Sequence, residues 1–243
     1  MGRFTFTSDQ KVGDIVAKFP GAGEIFKAYQ IDFCCGGDKP LIEAIMKQGL
    51  DETEVLSKLN EHFEVVQGQF AAVEKSWVDA PLAELVEFII HRHHGYLYEN
   101  LPKLSQLTTT ILKVHGATHP ELSKVYKLFH TIKMELDEHL IKEETIQYPA
   151  IREYLASGAA ADLDKAIAVI QELEDEHAGA GDILKELRKV TGDYAIPDGV
   201  CGTFELTYTK LKELESDLFE HIHLENNILF PRLFNVKKQF IEK

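Results

Sequence analysis

Two stretches of the sequence decide the fold, residues 138–149 (EHLIKEETIQYP) and residues 220–231 (EHIHLENNILFP). Both read E-H-x-x-x-E-x-x-I-x-[YF]-P, and the second follows the first by 82 residues. His94 and His177 are separated by nearly the same distance along the chain, 83 residues. The sequence therefore predicts that two pairs of helices are duplicated, which gives a bundle with pseudo-twofold symmetry.

In each repeat the histidine and the second glutamate are four residues apart, so both side chains project from one helix face. Apolar residues flank each pair, including Leu140 in the first repeat and Ile222 in the second, which indicates that this face points inward. A buried carboxylate is costly unless it is paired or coordinates a metal. A single H-x-x-x-E is common on solvated helix faces, but two matching copies with a shared proline favour a cation site.

One imidazole from each of four helices with two carboxylates is a ligand set that suits iron or manganese, and suits zinc less well. If each glutamate bridges two ions, positions remain for a hydroxo bridge or a diatomic ligand. In the first helix the geometry lets either His93 or His94 face inward, and the repeat offset favours His94. The predicted metal ligands are His94, His139, Glu143, His177, His221 and Glu225. Nearby, Glu135 and Glu176 are candidates for orienting ligands or relaying protons.

Helical spacing of apolar residues recurs along nearly the whole chain, and strand-like alternation is almost absent, so the predicted fold class is all-α. The four long helical segments are 81–114, 120–156, 162–190 and 203–234. Short turns separate them, which favours an up-down-up-down bundle.

The N-terminal region is broken into short pieces by Pro20-Gly21, Gly36-Gly37 and Gly49. We expect a small helical domain over residues 1–64, a linker over 65–79 and the bundle over 80–243. The boundary is set where Asp79 precedes the first-turn proline of a new helix, Pro81.

Net charge, apolar stretches and cysteine count argue against several classes of function. The formal net charge is −14, which argues against binding to nucleic acid or to an anionic membrane. No stretch approaches the roughly 18 apolar residues of a membrane span, and the first residues do not resemble a signal peptide, so a cytoplasmic location is expected. Three cysteines, two of them adjacent, do not form a disulfide framework; Cys34, Cys35 and Cys201 are expected to be reduced, with Cys201 structural.

The motifs D-F-C-C-G-G (residues 32–37), H-x3-E-E-x4-P and H-x-x-L-E-N-N-x-L-F-P resemble those of the iron-sulfur cluster repair di-iron proteins, the Repair of Iron Centres (ScdA/YtfE-type) family. The likeness covers almost the whole chain. It implies a small paired-cysteine domain followed by a hemerythrin-like bundle. It also implies the same six iron ligands, with His94 preferred over His93 because the pattern I-I-x-R-x precedes the first ligand.

The resemblance further implies a protein that helps to restore iron-sulfur clusters damaged by nitrosative or oxidative stress, by iron donation or by nitric oxide chemistry. The cofactor would be two non-haem iron ions, oxo- or hydroxo-bridged. Cys34 and Cys35, in a loop before two glycines, would bind iron or an iron-nitrosyl species. The expected partners are iron-sulfur proteins with damaged clusters and small diatomic ligands, nitric oxide and oxygen. A homodimer through the small domain is also considered.

Three alternatives stay open. The first is a di-iron redox enzyme that reduces nitric oxide or peroxide. The second is a hemerythrin-like protein that senses oxygen or nitric oxide. The third is a metal-free interaction protein in which the bundle is only a scaffold.

Overall fold

The computed structural model describes residues 5–69 and 76–242. Over those residues the chain is mostly helical and has no strand, and one isolated bridge pairs Lys11 with Pro40. The all-α prediction is therefore confirmed. The chain divides into two compact units: the N-terminal unit comprises the residues up to Leu85 together with those from Phe219 onward, and the bundle unit comprises Val86–Leu218.

Four helices of the N-terminal unit precede the long helices: α1 (Val12–Lys18), α2 (Ala22–Ala28), α3 (Leu41–Gln48) and α4 (Glu52–Gln69). Their shared core includes Phe6, Phe19 and Phe63, and the ring of Phe63 meets the other two rings edge to face. Helix α3 ends at Gly49, which has a φ of 65° that glycine adopts without steric cost. Helix α4 continues beyond residue 64, the predicted end of the small domain, and the predicted domain boundaries stay a prediction.

The long helical segments begin at Leu82. They comprise α5 (Leu82–Ile89), α6 (Gly95–His115), α7 (Leu122–Lys142), α8 (Tyr148–Ser157), α9 (Ala160–Ile167), α10 (Ile170–Val190), α11 (Gly202–Leu224) and α12 (Phe230–Ile241). The four segments expected from the sequence are present, but the third is interrupted between Ile167 and Ile170. In the bundle unit α7 packs against both α6 and α10, and buried leucines and isoleucines recur along each helix at three- and four-residue spacing.

Three of these helices are joined to the next by a π-helical turn. The turns are π1 (Ile90–His94), π2 (Glu143–Gln147) and π3 (Glu225–Leu229). In π2 and π3 the carbonyl of the glutamate accepts a hydrogen bond from the backbone N–H five residues later. The shared proline of the two repeats follows each turn at the start of the next helix, where its missing N–H disrupts the regular ladder. Such turns are frequent at functional sites, and three of the predicted ligands lie in them.

Among residues 5–69 and 76–242, none of the helices has the combination of length and apolar character that a membrane crossing requires.

Candidate metal centre

Four predicted ligands of the bundle unit lie together in its interior. His94, His139, Glu143 and His177 are each no more than 4% exposed. The Nε2 atom of His94 is 3.2 Å from Oε2 of Glu143, and Nε2 of His139 is 3.1 Å from Oε1. The Nε2 atom of His177 is 3.0 Å from that of His139. Three helical segments thus bring their imidazole Nε2 atoms to one carboxylate.

The opposite nitrogens of two of these rings are held by outer carboxylates. His139 Nδ1 lies 2.7 Å from Oε2 of Glu176, and His94 Nδ1 lies 2.7 Å from Oε1 of Glu144. Partial burial opposes ionisation of Glu176, but hydrogen bonds from Lys142 and His139 outweigh it and lower the pKa of this carboxyl. A ring anchored through Nδ1 presents Nε2 in a fixed direction, which is the usual arrangement of histidines that ligate metals.

The donor set fits a metal ion. A fully buried carboxylate approached by three imidazoles is expensive to keep ionised without a cation. Nitrogen and oxygen donors within 4.8 Å of one another at His139, Glu143 and His177 match the requirements of a first-row transition ion.

The other two predicted ligands, His221 and Glu225, belong to the N-terminal unit. His221 lies near the end of α11 and Glu225 begins π3, and they are 1% and 0% exposed. The Nε2 atom of His221 is 3.4 Å from Oε2 of Glu225, which repeats the pairing of His139 with Glu143. The two copies of the motif therefore adopt the same local arrangement.

Two other residues considered from the sequence, His93 and Glu135, lie outside the cluster around Glu143. His93 is buried, but its Nδ1 lies 3.2 Å from Asp217, which also accepts a hydrogen bond from Arg92. His94 lies 3.2 Å from Glu143 through its Nε2 atom, so it is the residue of the two that reaches the cluster. Glu135 is exposed. The contact of Glu144 with His94 was not foreseen, although the adjacent glutamates at 143 and 144 were a visible signal.

Cys34 and Cys35 lie in a loop of the N-terminal unit. Their Sγ atoms are 3.6 Å apart, and the Asp32 carboxylate accepts backbone hydrogen bonds from Cys34, Cys35 and Gly36 at 3.0–3.2 Å. Burial, the neighbouring thiol and the Asp32 charge raise the pKa of Cys34 well above its ordinary value. Asp32 and the two thiols are close enough to hold one ion, but Cys34 must first lose a proton that its surroundings retain. Binding of iron or an iron-nitrosyl species by this pair stays a prediction.

The same loop is attached to π3 by Asn227, two residues after Glu225. The Asn227 amide donates to the carbonyls of Phe33 and Cys34, at 3.1 Å each. A Cβ atom at Gly37 would lie 2.3 Å from Asn227 Oδ1, and one at Gly13 would lie 2.4 Å from it. A side chain at either glycine would therefore displace the Asn227 amide, which joins the cysteine loop to the second copy of the motif inside one unit.

Cys201 is exposed and directly precedes α11. Its sulfur lies 3.1 Å from Nε2 of His115, so it is not an isolated structural residue. Hydrogen bonding to His115, with support from the backbone N–H groups of Phe204 and Thr203, lowers the pKa of this thiol to about 7.

The three thiols should differ in reactivity. At neutral pH we expect iodoacetamide to alkylate Cys201 first and Cys34 last, because Cys201 is exposed and about half ionised whereas Cys34 is buried and protonated. His115→Ala should slow the alkylation of Cys201 about tenfold by returning its pKa towards the ordinary value. Timed labelling read by peptide mass spectrometry measures this, with His91→Ala as the control. Equal rates at Cys201 in the parent and His115→Ala proteins would contradict it.

Two family models match separate parts of the chain. The Hemerythrin HHE cation binding domain model matches residues 86–233, and the ScdA_N model, described as a domain of unknown function, matches residues 8–62. The iron-sulfur cluster repair protein ScdA of Staphylococcus haemolyticus is 33% identical over 226 residues, which covers 93% of this chain and 98% of the relative. The hemerythrin-like character expected of the C-terminal region is thereby confirmed.

Two relatives named iron-sulfur cluster repair protein YtfE give the same result. That of Citrobacter koseri is 35% identical over 225 residues, and that of Escherichia coli O81 is 36% identical over 228 residues. Each alignment covers 92% of this chain and 96% of the relative. The similarity therefore extends over nearly the full length of both partners.

Proposed function

The chain belongs to the ScdA/YtfE family of iron-sulfur cluster repair proteins, and from that premise we propose that it binds two iron ions and helps to restore clusters damaged by nitrosative or oxidative stress. The observation that carries the proposal is the buried group of His94, His139, Glu143 and His177, with two of its rings anchored by outer carboxylates. Iron-sulfur proteins with damaged clusters are the partners. A cytoplasmic location and a homodimer remain predictions.

His221 and Glu225 supply the remaining ligands in this proposal. Three facts support it: they repeat the sequence of the first copy, they are buried, and the helix α11 that carries His221 continues from the bundle unit. Each copy contributes a glutamate that starts a π turn. The six side chains are His94, His139, Glu143, His177, His221 and Glu225.

When bound, the iron supplies redox chemistry and a labile metal store. The protein's own groups hold and tune it: Glu176 and Glu144 orient the rings of His139 and His94, and the surrounding leucines exclude water. Carboxylate-containing sites hold iron less rigidly than sites made of histidine alone, which favours release of iron over reversible oxygen storage.

A reactivation assay tests the function. An iron-sulfur dehydratase is inactivated with nitric oxide and then incubated anaerobically with the iron-loaded protein. We expect the parent protein to restore activity and His139→Ala to fail, while His91→Ala, which changes an exposed histidine of the same chain, should match the parent. Full reactivation by His139→Ala would contradict the proposal.

The same assay separates the two routes to repair. Donation predicts that labelled iron from the protein appears in the repaired dehydratase. Nitric oxide chemistry predicts that the label stays with the protein while nitric oxide is consumed over many turnovers, provided that dithionite is added to supply the electrons. Consumption without any reactivation would favour the alternative of a redox enzyme.

A further inference from the structure

The two copies of the motif differ at the second residue after the glutamate. The first copy has Thr145 there, and the second copy, 82 residues later, has Asn227. Thr145 is exposed, and its hydroxyl donates to the carbonyl of Ile141 in the preceding helical turn. The side chain of Asn227 instead contacts the cysteine loop, residues 32–37. The second copy therefore makes a contact that the pattern of metal ligands does not explain.

Two kinds of contact fix the cysteine loop to the end of α11 and to π3. The Nδ2 atom of Asn227 donates to the carbonyl oxygens of Phe33 and Cys34, at 3.1 Å each. The ring of Phe33 is completely buried, and its centroid lies 5.5 Å from that of Phe219 and 5.7 Å from that of His223. All of these residues belong to the N-terminal unit. The loop and this part of the second copy therefore pack as one piece.

Two glycines make room for the Asn227 side chain. The three heavy atoms nearest to a Cβ atom at Gly37 would all belong to Asn227, at 2.3–2.8 Å. The N–H of Gly13 donates to the carbonyl of Gly37 at 2.8 Å, so the two glycines lie against each other. Gly13 is part of α1, where glycine is less favourable than alanine. The space that both glycines leave for Asn227 gives a physical reason for that unfavourable choice.

Asn227 also lies close to a proposed metal ligand along the chain. Glu225 is the first residue of π3 and Asn227 is the third of the five. A π-helical turn is a short local feature of the backbone, so contacts that fix one of its residues limit the movement of the others. The hydrogen bonds of Asn227 to the cysteine loop therefore also restrain the backbone that presents Glu225.

We propose that Asn227 is a positioning residue that couples the paired cysteines to the metal ligand Glu225. While the cysteine loop is closed on Asn227, π3 holds Glu225 in place for iron. When iron binds to Glu225, π3 in turn holds the loop closed over Cys34. Such coupling is reciprocal, because each binding event must alter the other by the same factor. The inference rests on the proposed function and adds to it a link between the metal and the thiols.

Asn227→Ala tests both ends of this link, with Thr145→Ala as the matched control from the first copy. In the metal-free protein, iodoacetamide should alkylate Cys34 about tenfold faster in Asn227→Ala than in the parent, because loss of two hydrogen bonds makes local opening of the loop easier. Iron affinity, measured by anaerobic competition with a chelator, should fall about tenfold in the same variant. Thr145→Ala should match the parent in both measurements.

The effect of iron on the thiol distinguishes coupling from a purely structural role. In the parent protein, iron loading should slow the alkylation of Cys34, as followed by timed labelling and peptide mass spectrometry. In Asn227→Ala, iron loading should leave the rate nearly unchanged, because the link between π3 and the loop is absent. Protection by iron that persists in Asn227→Ala would mean that iron reaches the thiols without this residue, and it would overturn the inference.

Gly37→Ala is a second variant, and it leaves Asn227 in the chain. The added methyl group would occupy the place of the Asn227 amide, so faster alkylation of Cys34 and weaker iron binding should both reappear. The double variant Gly37→Ala with Asn227→Ala should be no worse than either single variant, since all three lose the same contact. Additive losses in the double variant would show that the two residues act separately and would overturn the inference.

The remaining outcomes are also decisive. Faster alkylation of Cys34 without a change in iron affinity, or the reverse, would overturn the coupling and leave the proposed function intact. Loss of helicity in metal-free Asn227→Ala, read by circular dichroism, would identify Asn227 as a residue of the fold and would also overturn it. A parent protein that binds no iron would refute both this inference and the proposed function.

Discussion

Replacement of Glu143 by alanine is expected to lower metal affinity by more than about 100-fold, since loss of an outer partner of a ligand alone typically costs 10–100-fold. Glu143 is the carboxylate that approaches both His94 Nε2 and His139 Nε2, so its removal leaves neutral imidazoles without an anionic partner for the cation. The measurement is metal content after anaerobic reconstitution, combined with competition against a chelator.

A graded series makes this result specific. Glu176→Gln keeps the shape of the partner of His139 but removes its charge, and should lower affinity by only about 10–100-fold. His91→Ala should have no effect, because this ring is exposed. Circular dichroism of the metal-free variants should show unchanged helicity. Glu143→Ala protein that retains iron as tightly as Glu176→Gln would contradict the assignment of Glu143 as a ligand.

The second large effect is expected far from the metal centre, between α10 and α11. Arg188 donates to both carboxylate oxygens of Glu215, at 3.1 Å from Nε and through a closer contact from Nη2. Glu215 is only 3% exposed. Arg188→Met should therefore reduce the free energy of unfolding by about 3–5 kcal/mol, because a buried carboxylate is left without its counter-charge. Urea denaturation followed by circular dichroism measures the loss.

The loss of stability in Arg188→Met should increase with pH. Burial raises the pKa of Glu215 even with Arg188 in place, and loss of the guanidinium should raise it further. A carboxyl group whose pKa is higher in the folded state binds more protons there than when unfolded, so stability falls as the pH rises through that interval. The defect should be smaller at about pH 5 than at about pH 8.

A matched double variant completes the comparison. Arg188→Met combined with Glu215→Gln should recover much of the lost stability, since no unpaired charge remains. A loss below about 1 kcal/mol in Arg188→Met would instead place this pair among ordinary surface salt bridges.

Much of the candidate centre could be predicted because the H-x-x-x-E motif occurs twice in the chain. The matching H-x-x-x-E pairs and the offset between His94 and His177 identified candidate ligands whose positions follow from helical periodicity. Side chains that contact those histidines from other segments were harder to predict from the sequence. Glu176 was foreseen only as a candidate partner, and the hydroxyl of Tyr148 at His94 was not foreseen, because contacts between distant segments depend on how helices pack.

Local departures from regular α-helix could not be predicted from the sequence either. The break between α9 and α10 and the π turns at His94, Glu143 and Glu225 do not alter the apolar spacing enough to be read from it. The sequence did not indicate the surroundings of Cys34 and Cys201. Cys34 is buried beside Asp32, and Cys201 is exposed beside His115. Their different pKa values arise from those surroundings.

The amino-acid sequence by itself determined the all-α class, the repeated motif and the identity of the metal-binding candidates. These follow from residue type and from spacing along one helix, both of which are local properties. The tertiary structure alone decided that Nδ1 of two rings is anchored by Glu144 and Glu176, and that Gln147 is buried without a hydrogen-bond partner among residues 5–69 and 76–242. Those properties depend on distances between segments far apart in the chain, which periodicity does not encode.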